Sequence, residues 1–162
     1  MHRSLTILTG NGKGKTTAGL GACLRFAGSG NHVLYTQFLK DHTEDELEIL
    51  RTIPQITVCL PEKSFLFSRE LTLSQQNEIR RSCTILLEKT IKETACRTYG
   101  LLVLDEILLA DHLHFIPHEM LLYFMKAKPA YLELILTGQN ASKDLYGYAD
   151  YISDFQCAGR PD

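Results

Sequence analysis

The run T-G-N-G-K-G-K-T-T from Thr9 to Thr17 carries the clearest chemistry in the sequence. Its glycines let the backbone turn tightly and aim N–H groups inward, the arrangement that holds phosphate oxygens. A helix beginning directly after the run adds the positive end of its dipole. The expected nucleotide-binding residues are Gly10, Asn11, Gly12, Lys13, Gly14, Lys15, Thr16 and Thr17. Lys15 is placed to bridge phosphate oxygens, and the Thr16 hydroxyl to bind magnesium. The usual pattern, G-x-x-x-x-G-K-[ST], is matched by Gly14, Lys15 and Thr16, but its first glycine position is Thr9, and glycine follows one place later at Gly10. That shift points to a variant phosphate loop. Lys13 is an additional cation that either touches phosphate or faces solvent.

A second centre lies at Asp105 and Glu106, directly after the apolar run Leu101–Leu104. Parallel strands deliver their C-terminal ends to one edge of a sheet, where ligands bind. An acid at that edge holds Mg²⁺ directly or through water, so Thr16, Asp105 and Glu106 form the expected metal set, with Lys15 and Glu106 the expected catalytic pair. Thr137-Gly138-Gln139-Asn140 ends a further apolar run and reaches the same edge. His112, His114 and His118 form H-x-H-x-x-x-H, which reads as a surface or helix-end group. Cys23 stands at an apolar position and reads as core, and no G-x-S-x-G elbow occurs. The sequence thus offers nucleotide positioning without an evident side-chain nucleophile, which suits a reaction whose nucleophile comes with the other substrate.

The elements that must hold these groups alternate. Strands are expected at Ser4–Thr9, His32–Phe38, Gln55–Leu60, Leu101–Asp105, Tyr131–Thr137 and Tyr151–Phe155. Helices are expected at Thr16–Ala27, Glu44–Arg51, Leu73–Arg97, Ile107–His112 and Pro117–Lys126, with a turn or short helix near Ser142. Continuous apolar strands alternating with helices imply an α/β fold, a mainly parallel sheet covered by helices on both faces. With 162 residues and 44% hydrophobic content, one nucleotide-binding domain over 1–162 uses the length. The formal net charge of −2, with Arg80-Arg81 the longest basic cluster, argues against a nucleic-acid partner. No apolar stretch approaches the roughly 18 residues of a membrane span. Five cysteines without C-x-x-C spacing, and no secretory signal ahead of Leu5, give a reducing, cytoplasmic expectation.

Taken together, the segments T-G-N-G-K-G-K-T-T (9–17), V-L-Y-T-Q-F-L-K (33–40), E-D-E-L-E-I-L (44–50), L-V-L-D-E (102–106), K-P (128–129), L-I-L-T-G (134–138) and A-D (149–150) resemble the P-loop type of ATP:corrinoid adenosyltransferases, in that family's order and over nearly the whole chain. The resemblance implies a P-loop NTPase fold of the RecA-like kind and a homodimer. It implies ATP, Mg²⁺ and a reduced corrinoid in the site, and a flavoprotein reductant as a partner. The implied reaction is attack of Co(I) on the 5′ carbon of ATP, with triphosphate leaving. It also points to Phe65 and Phe67 as corrinoid-binding residues, where the family carries a Phe and a Trp; Gln139 stands where many members have arginine, and both ends of the chain are short. The other readings of a phosphate loop are a plain ATPase, a small-molecule kinase, or a nucleotide-binding relative without turnover.

Overall fold

The computed structural model describes residues 3–40, 45–62 and 71–159. Among them, six strands form one sheet: β1 Leu5–Thr9, β2 Val33–Gln37, β3 Ile56–Cys59, β4 Leu101–Asp105, β5 Glu133–Thr137 and β6 Tyr151–Asp154. The helices are α1 Lys15–Gly28, α2 Asp45–Arg51, α3 Leu73–Cys96, α4 Ile107–His112, α5 His118–Ala127 and α6 Lys143–Tyr146. The strand order is β3-β2-β4-β5-β1-β6, and every neighbouring pair is parallel. The expected α/β class is therefore found. Phe65 and Phe67 lie outside the described residues, as does Glu44 at the expected start of α2.

The two faces of the sheet follow from the two-residue period of a strand. On β4, Leu102 and Leu104 join Leu86 and Leu87 of α3, Leu108 of α4 and Leu121 of α5 in one core cluster. Leu101 and Val103 point the other way and pack with Cys23 and Ala27 of α1 and Leu47 and Leu50 of α2. Each fully buried leucine contributes about 1.5–3 kcal/mol relative to exposure. Helices on both faces explain why β4 is buried at every residue.

The same alternation sorts the polar residues. Asp105 keeps step with Leu101 and Val103, so it emerges on the α1 face. Tyr35 lies in that cluster, Gln37 is the register partner of Asp105, and Thr137 keeps step with Ile135. β5 lies between β1 and β4 in the sheet, which sets Thr137 between the β1 loop and Asp105.

Helix termini show their sequence causes. Thr72 caps α3: its hydroxyl accepts the Gln75 N–H at 3.3 Å while the Gln75 side chain accepts the Thr72 N–H at 2.9 Å, a reciprocal capping box. Arg80 and Arg81 are exposed on α3, and Arg80 Nε donates to the His114 carbonyl at 2.9 Å.

Candidate functional site

The loop between β1 and α1 is shaped by two different demands on glycine. Gly10 and Gly14 take φ values of 101° and 110°, in the left-handed region that side chains disfavour. Gly12 answers to space instead: a Cβ there would lie 2.8 Å from the Phe155 backbone, because the chain leaving β6 runs beneath the loop. The Phe155 N–H donates to the Thr9 carbonyl at 2.8 Å, and the Gly12 N–H donates to the Phe155 carbonyl at 2.6 Å. The Gly12 amide is therefore turned toward the chain after β6, and the donors facing the mouth of the loop come from later residues. The N–H groups of Lys15, Thr16 and Thr17 open α1, where no preceding helical carbonyl exists for them. Gly10 and Gly12 thus both lie against the close passage of Asp154 to Gln156, where a Cβ would collide.

Lys15 is 7% exposed and folds back over the loop, its Nζ donating to the carbonyls of Gly10 at 2.8 Å and Gly12 at 2.7 Å. An ammonium held by two carbonyls at the centre of the loop is aimed where phosphate oxygens would enter. Lys13 and Asn11 are exposed.

Asp105 is fully buried and is the hub of the site. Its Oδ1 accepts from Thr137 Oγ1 at 2.6 Å and from Thr16 Oγ1 at 3.0 Å. Its Oδ2 accepts from Tyr35 Oη at 3.1 Å and pairs with Lys40 Nζ at 2.9 Å. Lys40 Nζ also donates to Thr16 Oγ1 at 2.9 Å, so one ammonium bridges the Thr16 hydroxyl and the Asp105 carboxylate. Oxygen donors of this kind suit a hard divalent ion such as Mg²⁺, and the ammonium lying across them shows that the cradle accepts a cation.

Glu106 follows at φ 59°, a left-handed conformation that a non-glycine residue adopts at a cost of about 1–3 kcal/mol. That turn breaks β4 and starts α4. Its backbone N–H donates to Thr137 Oγ1 at 3.0 Å, so Thr137 ties the strand end to the carboxylate beside it. Gly138 is the next point of close approach: with φ 140°, an added Cβ would meet the Leu109 backbone at 2.9 Å.

The structure therefore gathers Lys15, Thr16 and Asp105 at one edge, with Glu106 half-buried beside them. Reading the sequence alone passed over Tyr35, Lys40 and Phe155 as site residues. Tyr35 falls inside the expected strand His32–Phe38 and Lys40 just after it, and neither position carries a local signal of its own. Only the β2–β4 register brings the end of β2 beside Asp105.

Two other groups lie apart from this hub. His118 Nδ1 bonds Asp111 Oδ1 at 2.9 Å and Nε2 bonds Asp144 Oδ2 at 2.7 Å, linking α4, α5 and α6; His112 and His114 are exposed. Burial favours the neutral imidazole of His118, but its hydrogen bonds to both carboxylates outweigh it and raise the pKa. Cys23 is buried against the sheet and desolvation pushes its thiol up to about 12, which fits a core residue. A cavity of about 200 Å³ opens where β3 ends, lined by Leu60, Pro61, Arg81, Ile85 and Lys89 among others. No described helix is long and apolar enough to cross a membrane.

A family model described as ATP:corrinoid adenosyltransferase BtuR/CobO/CobP matches residues 2–161. The chain is 24% identical over 152 residues to "Corrinoid adenosyltransferase CobA" of Salmonella typhimurium, covering 94% of this chain and 76% of that protein. It is 26% identical over 152 residues to the "Corrinoid adenosyltransferase" of Pseudomonas aeruginosa, covering 93% and 73%. It is also 30% identical over 170 residues to "Uncharacterized protein all2391" of Nostoc sp., covering 96% of this chain and 44% of that protein. With a match over nearly its whole length and an all-parallel α/β sheet of the expected class, the chain belongs to the ATP:corrinoid adenosyltransferase family.

Proposed function

We propose that this chain is a transferase that moves the 5′-deoxyadenosyl group of ATP to Co(I) of a corrinoid and releases triphosphate. The observation that carries the reading is the joining, at one sheet edge, of the glycine loop with its buried Lys15 to the Thr16–Asp105 oxygen cradle, in a chain of this family. In the step, an electron pair on Co(I) forms the cobalt–carbon bond, the C5′–oxygen bond breaks, and its electron pair leaves on the triphosphate.

The residues of the chain have three tasks in that step. The loop donors from Gly14 to Thr17 hold the polyphosphate, and Lys15, released from the Gly10 and Gly12 carbonyls, meets the charge that grows on the leaving oxygen. Thr16 and Asp105, with Glu106 beside them, would hold Mg²⁺. When bound, the ion neutralises polyphosphate charge. Tyr35 and Thr137 keep the Asp105 carboxylate oriented through their hydroxyls. The nucleophile arrives with the corrinoid, so the buried Cys23 thiol has no part in the step. Phe65 and Phe67 are the residues proposed to meet the corrinoid face. A homodimer, a flavoprotein reductant and a cytoplasmic setting complete the reading.

The test is to mix the protein with ATP, Mg²⁺ and chemically reduced cobalamin and follow the absorption spectrum. Conversion to adenosylcobalamin supports the assignment. ATP binding with an unchanged cobalamin spectrum sinks it.

A further inference from the structure

We propose that Lys40 is the resident cation of the metal cradle and gives up its place when a divalent ion loads. The proposal rests on Thr16 and Asp105 being the metal-holding pair. Asp105 is fully buried, and the hydroxyls of Thr16, Tyr35 and Thr137 surround its carboxylate with neutral donors. These bonds solvate the carboxylate but leave its charge uncancelled. The Lys40 ammonium, 2.9 Å from Oδ2, supplies the opposite charge. The same ammonium is 2.9 Å from Thr16 Oγ1. It therefore occupies the two groups that a divalent ion would use, and two cations cannot share them at contact distance in a buried site.

The local backbone supports a dedicated placement. Leu39, directly before Lys40, takes φ 53°, a conformation that bulky residues rarely adopt. Strain of this kind persists where the surrounding structure over-determines it, commonly at ligand sites. The Lys40 side chain is 19% exposed, against 0% for Asp105, so its flexible stem has a route outward while the carboxylate stays.

Metal loading must then displace Lys40. A divalent ion alone has to eject an ammonium from a site that holds it at 2.9 Å from both Thr16 Oγ1 and Asp105 Oδ2. An ion arriving with polyphosphate brings negative charge that can take the displaced ammonium. Lys40 thereby couples metal binding to nucleotide binding, and the coupling acts equally in both directions. It is a positioning residue: it keeps the empty cradle formed and opposes metal without nucleotide.

The experiment titrates Mn²⁺ into the nucleotide-free protein and reads the free-ion signal by electron paramagnetic resonance. Wild type should bind weakly, and Lys40→Met at least about tenfold more tightly. The gain should vanish in the double variant Lys40→Met with Asp105→Asn. Lys40→Met should also melt lower than wild type without metal and recover when Mg²⁺ is added. A merely structural lysine predicts the same loss with no recovery. Lys40→Gln serves as the second variant should Lys40→Met fold poorly. Equal Mn²⁺ affinity in wild type and the Lys40 variants, while wild type still binds MgATP by calorimetry, overturns the Lys40 proposal alone. If Asp105→Asn leaves MgATP affinity unchanged, the metal-cradle reading fails and the proposal falls with it.

Discussion

Asp105 and Asp111 are both buried carboxylates of the β4–α4 segment, and their surroundings differ in kind. Asp105 is held by three hydroxyls from three elements and by an ammonium on a flexible stem. Asp111 faces His118, whose other ring nitrogen is fixed by Asp144. At Asp105 the cation can leave while the hydroxyl frame stays, so the charge becomes available to another cation. At Asp111 the partner is a ring anchored from both sides, so its removal would loosen the packing of α4, α5 and α6. Burial alone does not mark a site; an exchangeable counter-ion within a fixed donor frame does. Burial raises the pKa of Asp111, opposed by the hydrogen bond from His118, which fits a carboxyl kept for packing.

The largest effect that separates the two is expected at Asp105. Asp105→Ala leaves Lys40 and three hydroxyls around an empty space and should cost about 3–5 kcal/mol of stability, measured by denaturant unfolding. A loss below about 1 kcal/mol would show that the hub contributes little to the fold. Next, Lys15→Ala should weaken ATP binding about 100-fold or more by calorimetry, with the fold retained, since it removes a charged partner of phosphate. Thr137→Val follows at about 1–3 kcal/mol, because it strips a donor from Asp105 and an acceptor from the Glu106 N–H. The same threonine-to-valine logic has no counterpart at Asp111, whose partner is a ring.

The smallest effect concerns the Asp111 side and carries a pH signature. The folded pKa of His118 lies above its ordinary value of 6.5, so its contribution is fully present below that value and is lost as pH rises through the folded pKa. His118→Gln should therefore cost more stability at pH 6 than at pH 8.5. A penalty that does not change over that range would mean that His118 acts through packing alone. No comparable dependence on the His118 substitution is expected for nucleotide affinity.

These differences also show what the sequence could reveal. The strand–loop–helix order around Thr9–Thr17 and the apolar run ending at Asp105 are local signals, and both elements stand within a residue of their expected positions. The capping residues of α3 are equally local. Lys40, Tyr35 and Phe155 are legible only through long-range pairing: the β2–β4 register brings the first two beside Asp105, and β6 pairing with β1 carries Phe155 under Gly12. The role of Gly12 shows the limit well. Its type is visible in the sequence, but its reason is a backbone that approaches from the other end of the chain.

The central claim is that the loop and the Asp105 cradle hold triphosphate as a leaving group. Phosphorus-31 NMR of the reaction with ATP, Mg²⁺ and reduced cobalamin tests it most directly. The account predicts intact triphosphate, formed in step with adenosylcobalamin. ADP with inorganic phosphate, or ADP with a phosphorylated acceptor, would contradict it.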